Sequence, residues 1–264
     1  YVERIGYTGE SNHSSSFSGV CIGKNEESGD MYFLTSSHGI EDPVRFEILK
    51  NRGVLVHGEY LLTKFMMNGD KEAYARLPVD VVHWIRPDRM DLALLHCTDK
   101  DLASRINVCK KVAKFDEIRE GKEAILVATY MDNPLTLREE DEISSSDPEK
   151  MSRFTHPASV RSGIISLAAI SDPKDRSRFV LYDIGISPGN SGGAVYTAGK
   201  DDELALVSIM TMRQFDKDGK GTGHSLGISP GAIYVFLDMQ EVKDALAKCT
   251  EKIDNSGYTI KSEP

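Results

Sequence analysis

Short apolar runs separated by polar, glycine-containing segments recur along the chain. Residues 17–22 and 31–35 are two such runs, and the turn-rich residues 24–30 between them predict a β-hairpin. Each run is shorter than an average helix and is bounded by turn-forming residues, which is typical of β-strands. Further strands are predicted at residues 44–49, 54–61, 79–85, 92–97, 124–130, 159–170, 178–186, 204–212 and 226–235. This repetition favours an all-β barrel or sandwich.

Polar stretches divide this series of strands. Residues 1–16 form a polar N-terminal segment, and residues 100–122 turn polar before the next apolar run. We therefore predict two halves, residues 17–115 and residues 120–236, followed by a C-terminal helix and tail at 237–264. Residues 138–157 contain proline, three successive serines and many acids, which indicates a surface loop.

The pattern changes to a helical spacing near the end of the chain. Apolar residues occur there at i, i+3, i+4 and i+7, namely at Val242, Ala245, Leu246 and Cys249. Asp238 and Glu241 precede them as a plausible capping pair. One amphipathic helix is predicted, with a polar tail beyond Lys252.

Length, charge and cysteine content argue against several function classes. The 264 residues suit one large domain or two small ones, and the net charge of −9 argues against a nucleic-acid-binding surface. No apolar run is long enough to span a membrane, and the N-terminus lacks a signal-peptide pattern. The four cysteines form no C-x-x-C pair, so neither a metal site nor a disulfide framework is expected. Reduced thiols favour a reducing compartment such as the cytoplasm.

Glycines surround one serine in the segment SPGNSGG at residues 187–193. Glycine adopts backbone conformations that a Cβ atom disfavours, so a tight turn here can present the Ser191 hydroxyl outward. Successive N–H groups of such a turn form a concavity of the kind that binds an oxyanion. The oxyanion-hole candidates are Gly189, Asn190 and Ser191, with the N–H groups of Gly189 and Ser191 as the natural donors.

A serine hydroxyl is a weak nucleophile that needs a base within hydrogen-bond reach. His38, in the segment TSSH, is the candidate base because imidazole titrates near neutral pH. Asp91, which opens the segment DLALL, suits the role of orienting that imidazole. His38 and Asp91 fall in the first half and Ser191 in the second, so the predicted site is a cleft between the halves.

The segments TSSH, DLALL and GNSGG, in this order and spacing, resemble the chymotrypsin-like serine peptidases. Within that group the match is closest to the HtrA/Deg-type proteases, whose nucleophile segment resembles YDIGISPGNSGGAV at residues 182–195. SVRSGIIS, LALVSIMT and LGISP are similar to neighbouring strands, and the resemblance covers roughly residues 17–245. It implies two six-stranded antiparallel β-barrels and hydrolysis of protein or peptide substrates through an acyl-enzyme, without a metal or organic cofactor.

The sequence also departs from the family pattern. Gly39 follows His38, where digestive trypsins have cysteine, and Asn190 replaces the aspartate that pairs with a freed N-terminus in their activation. No PDZ module follows, so homo-oligomerisation is left open. The resemblance implies a specificity pocket near Gly185, Met210, Thr211, Met212 and His224. No aspartate stands at Gly185, which disfavours a basic substrate residue, and the methionines suggest an apolar or adaptable pocket.

Two alternatives to a cellular serine endopeptidase stay open. One is a viral protease that processes a polyprotein, which would retain the same enzyme class. The other is a catalytically inactive pseudoprotease that uses the same scaffold to bind peptides. Labelling of Ser191 by a fluorophosphonate would separate an active enzyme from a pseudoprotease.

Overall fold

Fifteen strands and three short α-helices occur in the part of the chain that the computed structural model describes. That part comprises residues 2–8, 11–40, 56–68, 71–86, 89–129, 158–171, 178–187, 189–199, 203–215 and 217–256. The strands are β1 (Val2–Thr8), β2 (Ser11–Phe17), β3 (Val20–Asn25), β4 (Asp30–Thr35), β5 (Val56–Asn68), β6 (Lys71–Pro78), β7 (Asp80–Trp84), β8 (Ala93–Thr98), β9 (Glu123–Thr129), β10 (Ala158–Ser171), β11 (Arg178–Tyr182), β12 (Ala194–Ala198), β13 (Leu204–Phe215), β14 (Gly221–Ile228) and β15 (Glu251–Lys252). The helices are α1 (Lys100–Arg105), α2 (Pro230–Leu237) and α3 (Gln240–Leu246).

The C-terminal half is a closed antiparallel barrel of six strands. Its strand order is β10-β11-β14-β13-β12-β9. Closure gives every strand of the barrel a neighbour on both sides, so the barrel has no edge strand. Side chains on the two faces of β13 pack into two different cores. Ala205 and Val207 pack inside the barrel, whereas Leu206 and Ile209 pack against the rest of the protein. The all-β fold and a six-stranded barrel are thereby confirmed.

The described strands of the N-terminal half form two sheets rather than a closed six-stranded barrel. Five strands pair in the order β15-β3-β4-β8-β7, and four pair in the order β2-β1-β5-β6. The second sheet includes most of the polar segment predicted at residues 1–16, where Val2 pairs with Phe17 in an antiparallel ladder. Backbone hydrogen bonds to neighbouring strands can hold such a segment without an apolar pattern of its own.

The strand predicted at residues 226–235 ends early. Strand β14 stops at Ile228, and α2 begins at Pro230 in its place. The Ser229 hydroxyl caps this helix by accepting a hydrogen bond from the Ala232 N–H at 3.4 Å. Serine at the N-cap and proline at the first helical position are both favourable, and they override the strand-like apolar composition.

The C-terminal helix forms, but the chain continues beyond it in an ordered way. Val242, Ala245 and Leu246 are buried on one face of α3, as the spacing predicts. Met239, rather than Asp238, occupies the N-cap position. Beyond α3, β15 pairs with β3, and Ile253 is buried where a polar tail was expected.

Several predictions fall outside the described residues or are not tested. The strand at 44–49 and the loop at 138–157 both lie outside them. The exact limits of the two halves remain predictions. Among the helices that the structure describes, none is both long and apolar enough to cross a membrane.

One apolar core joins the two halves. It combines residues of β3, β4 and β8 with residues of the barrel and of helices α2 and α3. Fully buried members include Ile22, Leu34, Leu94, Leu206, Ile209, Ile233 and Phe236. Burial of each such side chain stabilises the folded state by about 1.5–3 kcal/mol, so the halves are held against each other by a substantial apolar interface.

We predict that Leu94→Ala lowers the free energy of unfolding by about 2–5 kcal/mol, because it opens a cavity in this shared core. Leu94 is 0% exposed, whereas Leu204, on the barrel, is 52% exposed. Leu204→Ala is therefore the matched control, and its effect should stay below about 1 kcal/mol. Urea unfolding of both variants measures the difference, and equal effects would contradict a core that joins the halves.

Candidate active site

His38 and Asp91 are in direct contact. His38 lies in a single 3-10 turn, Ser37–Gly39, directly after β4. Its ring Nδ1 is 2.8 Å from Asp91 Oδ2, and its backbone N–H donates to Asp91 Oδ1, also at 2.8 Å. The His38 side chain is 37% exposed and that of Asp91 only 6%. A buried carboxylate thus fixes the orientation of a solvent-accessible imidazole, as a general base requires.

The Asp91 carboxylate accepts hydrogen bonds from three residues. Besides the two from His38, Ser37 Oγ donates to Oδ1 at 3.1 Å, and Thr211 Oγ1 donates to Oδ2. Asp91 also has a φ of 50°, the left-handed region, which no other non-glycine residue adopts in the described part of the chain. A buried charge is tolerated only when it is well paired, and these donors meet that need.

The Ser191 segment is a tight turn shaped by two glycines and an amide side chain. Gly189 and Gly192 have φ values of 89° and 80°. The Asn190 N–H donates to the Ser187 carbonyl at 3.1 Å, and Asn190 Oδ1 accepts from the Ser187 N–H at 2.8 Å. Among the described residues, the N–H groups of Gly189 and Ser191 donate to no protein acceptor. These two N–H groups therefore remain open to a ligand oxygen, whereas the Asn190 N–H is engaged.

Ser18 fixes this turn to the N-terminal half. Its N–H donates to the Ser191 carbonyl at 2.7 Å, and its hydroxyl donates to the Gly189 carbonyl at 2.8 Å. The Ser18 carbonyl in turn accepts from Thr35 Oγ1 at 2.6 Å. Sequence reasoning missed Ser18, although a serine inside the apolar run at residues 17–22 was an available signal, because buried hydroxyls in such runs need partners.

Thr211 connects the serine to the aspartate. The sequence placed Thr211 in the specificity pocket, but it is buried at 4% exposure beneath the site. Its hydroxyl donates to Asp91, and its carbonyl accepts from Ser191 Oγ at 3.4 Å. Within the described residues, Ser191 Oγ makes no hydrogen bond to His38. The structure therefore joins His38 to Asp91 directly, and Ser191 to Asp91 through Thr211.

A pocket of about 240 Å³ opens beside this turn. Its lining residues are Gly185, Ile186, Arg213, Gly221, Gly223 and His224. Two of the residues predicted for the specificity pocket, Gly185 and His224, line it, whereas the two methionines and Thr211 do not. Met210 is fully buried in the barrel core, and Met212 is 43% exposed outside the pocket. Arg213 was not among the candidates drawn from the sequence.

The cysteines are not part of this chemistry. All four are free thiols, and Cys21, Cys97 and Cys109 are buried. Burial raises the pKa of Cys21 and of Cys97 to about 12, so neither is a thiolate at neutral pH. No group of three or more potential metal ligands occurs among the residues that the structure describes.

Comparison with known families gives one match over most of the chain. The model of the trypsin-like peptidase domain matches residues 17–201, which include His38, Asp91 and Ser191. None of the curated proteins matches the sequence significantly.

Solved structures share the fold at low sequence identity. An AlgW variant with a tripeptide, described as an HtrA-type protease, is 18% identical with a TM-score of 0.51, and the match covers 93% of this chain and 61% of that one. AlgW with a decapeptide is 20% identical with a TM-score of 0.50, covering 92% and 64%. The MamO protease domain from Magnetospirillum magneticum, in its apo form, is 17% identical with a TM-score of 0.50, covering 90% and 96%. The chain thus spans about three-fifths of the AlgW chains.

We predict that Gly192→Ala destabilises the protein more than Gly219→Ala does. Both glycines have positive φ, 80° and 75°, so each alanine carries a backbone cost of about 1 kcal/mol. A Cβ at Gly192 would also overlap the Ser18 carbonyl and Thr35 Oγ1, whereas one at Gly219 meets no atom within 4 Å. The overlap should add about 1–3 kcal/mol. Urea unfolding measures both variants, and similar losses would contradict tight docking of the Ser191 turn.

Proposed function

The chain belongs to the trypsin-like peptidase family, and from this premise we propose that it is a serine endopeptidase that hydrolyses peptide bonds through an acyl-enzyme at Ser191. The observation that carries the proposal is the buried Asp91 carboxylate. It contacts the His38 ring at 2.8 Å and also binds Thr211, whose carbonyl accepts the Ser191 hydroxyl. The base His38 and the nucleophile Ser191 are thereby both connected to the Asp91 carboxylate, which orients the base.

In this mechanism Ser191 Oγ attacks the carbonyl carbon of the scissile bond while His38 Nε2 accepts the hydroxyl proton. The tetrahedral oxyanion is stabilised by the N–H groups of Gly189 and Ser191, which have no protein acceptor among the described residues. His38 then donates its proton to the leaving amine, which breaks the peptide bond and leaves the acyl-enzyme. His38 then deprotonates a water molecule whose oxygen attacks the ester carbonyl carbon, and His38 returns that proton to Ser191 Oγ as the ester bond breaks.

The Ser191 hydroxyl has to turn before this sequence can begin. It now donates to the Thr211 carbonyl at 3.4 Å, a long hydrogen bond whose loss costs little. Rotation about the Cα–Cβ bond between staggered positions directs Oγ away from that carbonyl. Catalytic hydrogen bonds are often long or misaligned without substrate and tighten in the complex, so the observed geometry is compatible with activity.

Peptides are the substrates that the family premise supports. Two of the similar structures are of AlgW with a tripeptide and with a decapeptide. We extend peptide binding to this chain on the strength of the family match and of the open pocket beside Ser191. The chemistry requires neither a metal nor an organic cofactor.

A peptide-binding pseudoprotease is the second candidate, and one observation favours it. Ser191 Oγ and His38 make no hydrogen bond to each other within the described residues. If that arrangement persisted with substrate bound, the serine would lack its base, and the scaffold would only bind chains. The two candidates differ in whether the Ser191 hydroxyl is reactive.

We predict that a fluorophosphonate probe labels the protein and that Ser191→Ala abolishes the labelling. Peptide hydrolysis should fall by roughly 10⁶-fold in the same variant, because the nucleophile is gone. Ser104→Ala is the matched control, since Ser104 is exposed and donates only to the Asp101 carbonyl. Mass spectrometry locates the adduct. A folded wild-type protein that neither reacts with the probe nor cleaves a peptide library would establish the pseudoprotease instead.

We predict that Thr211→Val lowers kcat by about 10- to 100-fold while KM changes little, since it removes one charged hydrogen bond that positions Asp91. Thr211→Ser restores the hydroxyl and should recover most of the activity. Steady-state kinetics on one peptide substrate compares the three proteins. A purely structural role for Thr211 would instead reduce the active fraction, which titration with the fluorophosphonate measures, and leave kcat per active site unchanged.

A further inference from the structure

The pocket beside the Ser191 turn carries the positive charge of Arg213, and none of its described lining residues is acidic. Arg213 and His224 line it, together with three glycines and Ile186. Resting on the proposed function, we propose that this pocket binds the side chain immediately before the scissile bond and selects an acidic residue there. The specificity follows from the charge of Arg213 and from the hydrogen-bonding capacity of His224.

The position of the pocket identifies which substrate residue enters it. Gly185 and Ile186 lead directly into the turn that presents Ser191, and the Ser187 N–H is held within that turn by Asn190. Arg213 follows Thr211, the acceptor of the Ser191 hydroxyl, by two residues on β13. Both walls of the pocket thus extend from contacts of the nucleophile. A peptide whose carbonyl lies at Ser191 places the side chain of that same residue between these walls.

Arg213 is held at the pocket by the opposite wall. One guanidinium nitrogen, Nη2, donates to the Ile186 carbonyl, which joins β13 to the segment before the nucleophile. A guanidinium has five N–H donors, so most of them remain for a ligand. No described carboxylate forms an ion pair with Arg213. Its planar group matches the two oxygens of a carboxylate, which gives a charged and directional contact.

His224 adds a second group whose capacity the protein does not use. Its Nδ1 atom is buried and has no hydrogen-bond partner within the described structure. Because that atom is closed off from solvent, a substrate group can pair only with the other ring nitrogen, Nε2, which is not among the buried atoms and has no partner within the described structure. Added Cβ atoms at Gly185 and Gly223 would meet nothing within 4 Å, so both glycines leave open space for a side chain.

A second arginine contacts the same wall. Arg161 donates to the Gly185 carbonyl through Nη1 and approaches Ser187 Oγ at 3.4 Å through Nη2. Two guanidinium groups therefore contact the segment Gly185 to Ser187. A basic substrate side chain would be repelled here. An apolar side chain would displace water from Arg213 without replacing the hydrogen bonds of that water. An acidic side chain is the occupant that this charge distribution favours.

The test compares peptides that differ only in the residue before the scissile bond, which is Glu, Asp, Gln, Leu or Lys. We expect kcat/KM for Glu to exceed that for Gln by about tenfold or more, the worth of one charged hydrogen bond. Arg213→Leu should bring the Glu-to-Gln ratio close to one. Arg119→Leu is the matched control, because Arg119 is exposed and does not line the pocket, and it should leave the ratio unchanged.

A binding measurement separates this inference from the proposed function. Calorimetric titration of Ser191→Ala protein with tetrapeptides ending in Glu or Gln reports the preference of the pocket without hydrolysis. Absence of cleavage and of fluorophosphonate labelling, together with tighter binding of the Glu peptide, would overturn the proposed function and support the pocket assignment. Efficient cleavage with a Glu-to-Gln ratio near one, or a ratio that Arg213→Leu does not change, would overturn the assignment and leave the peptidase standing.

Discussion

The buried carboxylate of Asp91 is the constraint on which the arrangement of the site depends. A charge at 4% exposure is stable only if surrounding donors replace water, and no single element of this fold supplies enough of them. The 3-10 turn after β4 contributes Ser37 and His38, and β13 of the barrel contributes Thr211. Because these donors come from both halves, the carboxylate is fully satisfied only when the halves are docked. Docking of the two halves during folding therefore also fixes the orientation of the His38 ring.

The remaining contacts between the halves are apolar packing and a few directional hydrogen bonds. The apolar core shared by β3, β4, β8 and the barrel supplies non-directional stabilisation and brings the surfaces together. Ser18 then fixes the registration, since its hydrogen bonds to Gly189 and Ser191 have defined directions. Gly192 permits this approach because a side chain at that position would occupy the space of the Ser18 carbonyl. Apolar burial therefore provides the stabilisation, and polar contacts determine the position of Ser191.

Sequence patterns predicted those strands and helices whose own residues form an apolar run or a regular apolar spacing. Short apolar runs indicated strands β3, β4 and β8 and most of the barrel, since nearly every residue of β3, β4 and β8 is buried. The strands within residues 2–17 were missed because their backbone pairing, with β5 as well as with each other, does not require apolar side chains. The change from β14 to α2 was missed because the run at 226–235 is apolar on every face, and only Ser229 and Pro230 mark the boundary. Order and spacing of three short segments selected His38, Asp91 and Ser191 as candidates; the structure joins His38 to Asp91 directly and Ser191 to Asp91 through Thr211.

The pocket shows why side-chain placement at a site resists prediction from composition. Four consecutive residues of β13 have four different environments: Met210 enters the barrel core, Thr211 binds Asp91, Met212 is exposed and Arg213 lines the pocket. The register of β13 against β14 shifts between Met210 and Met212, so simple alternation cannot assign these faces. The two methionines in this segment suggested an apolar pocket. The irregular strand instead places Arg213, the one charged residue of the four, at the pocket. A local irregularity in a strand thus decides the charge of the cavity beside the Ser191 turn.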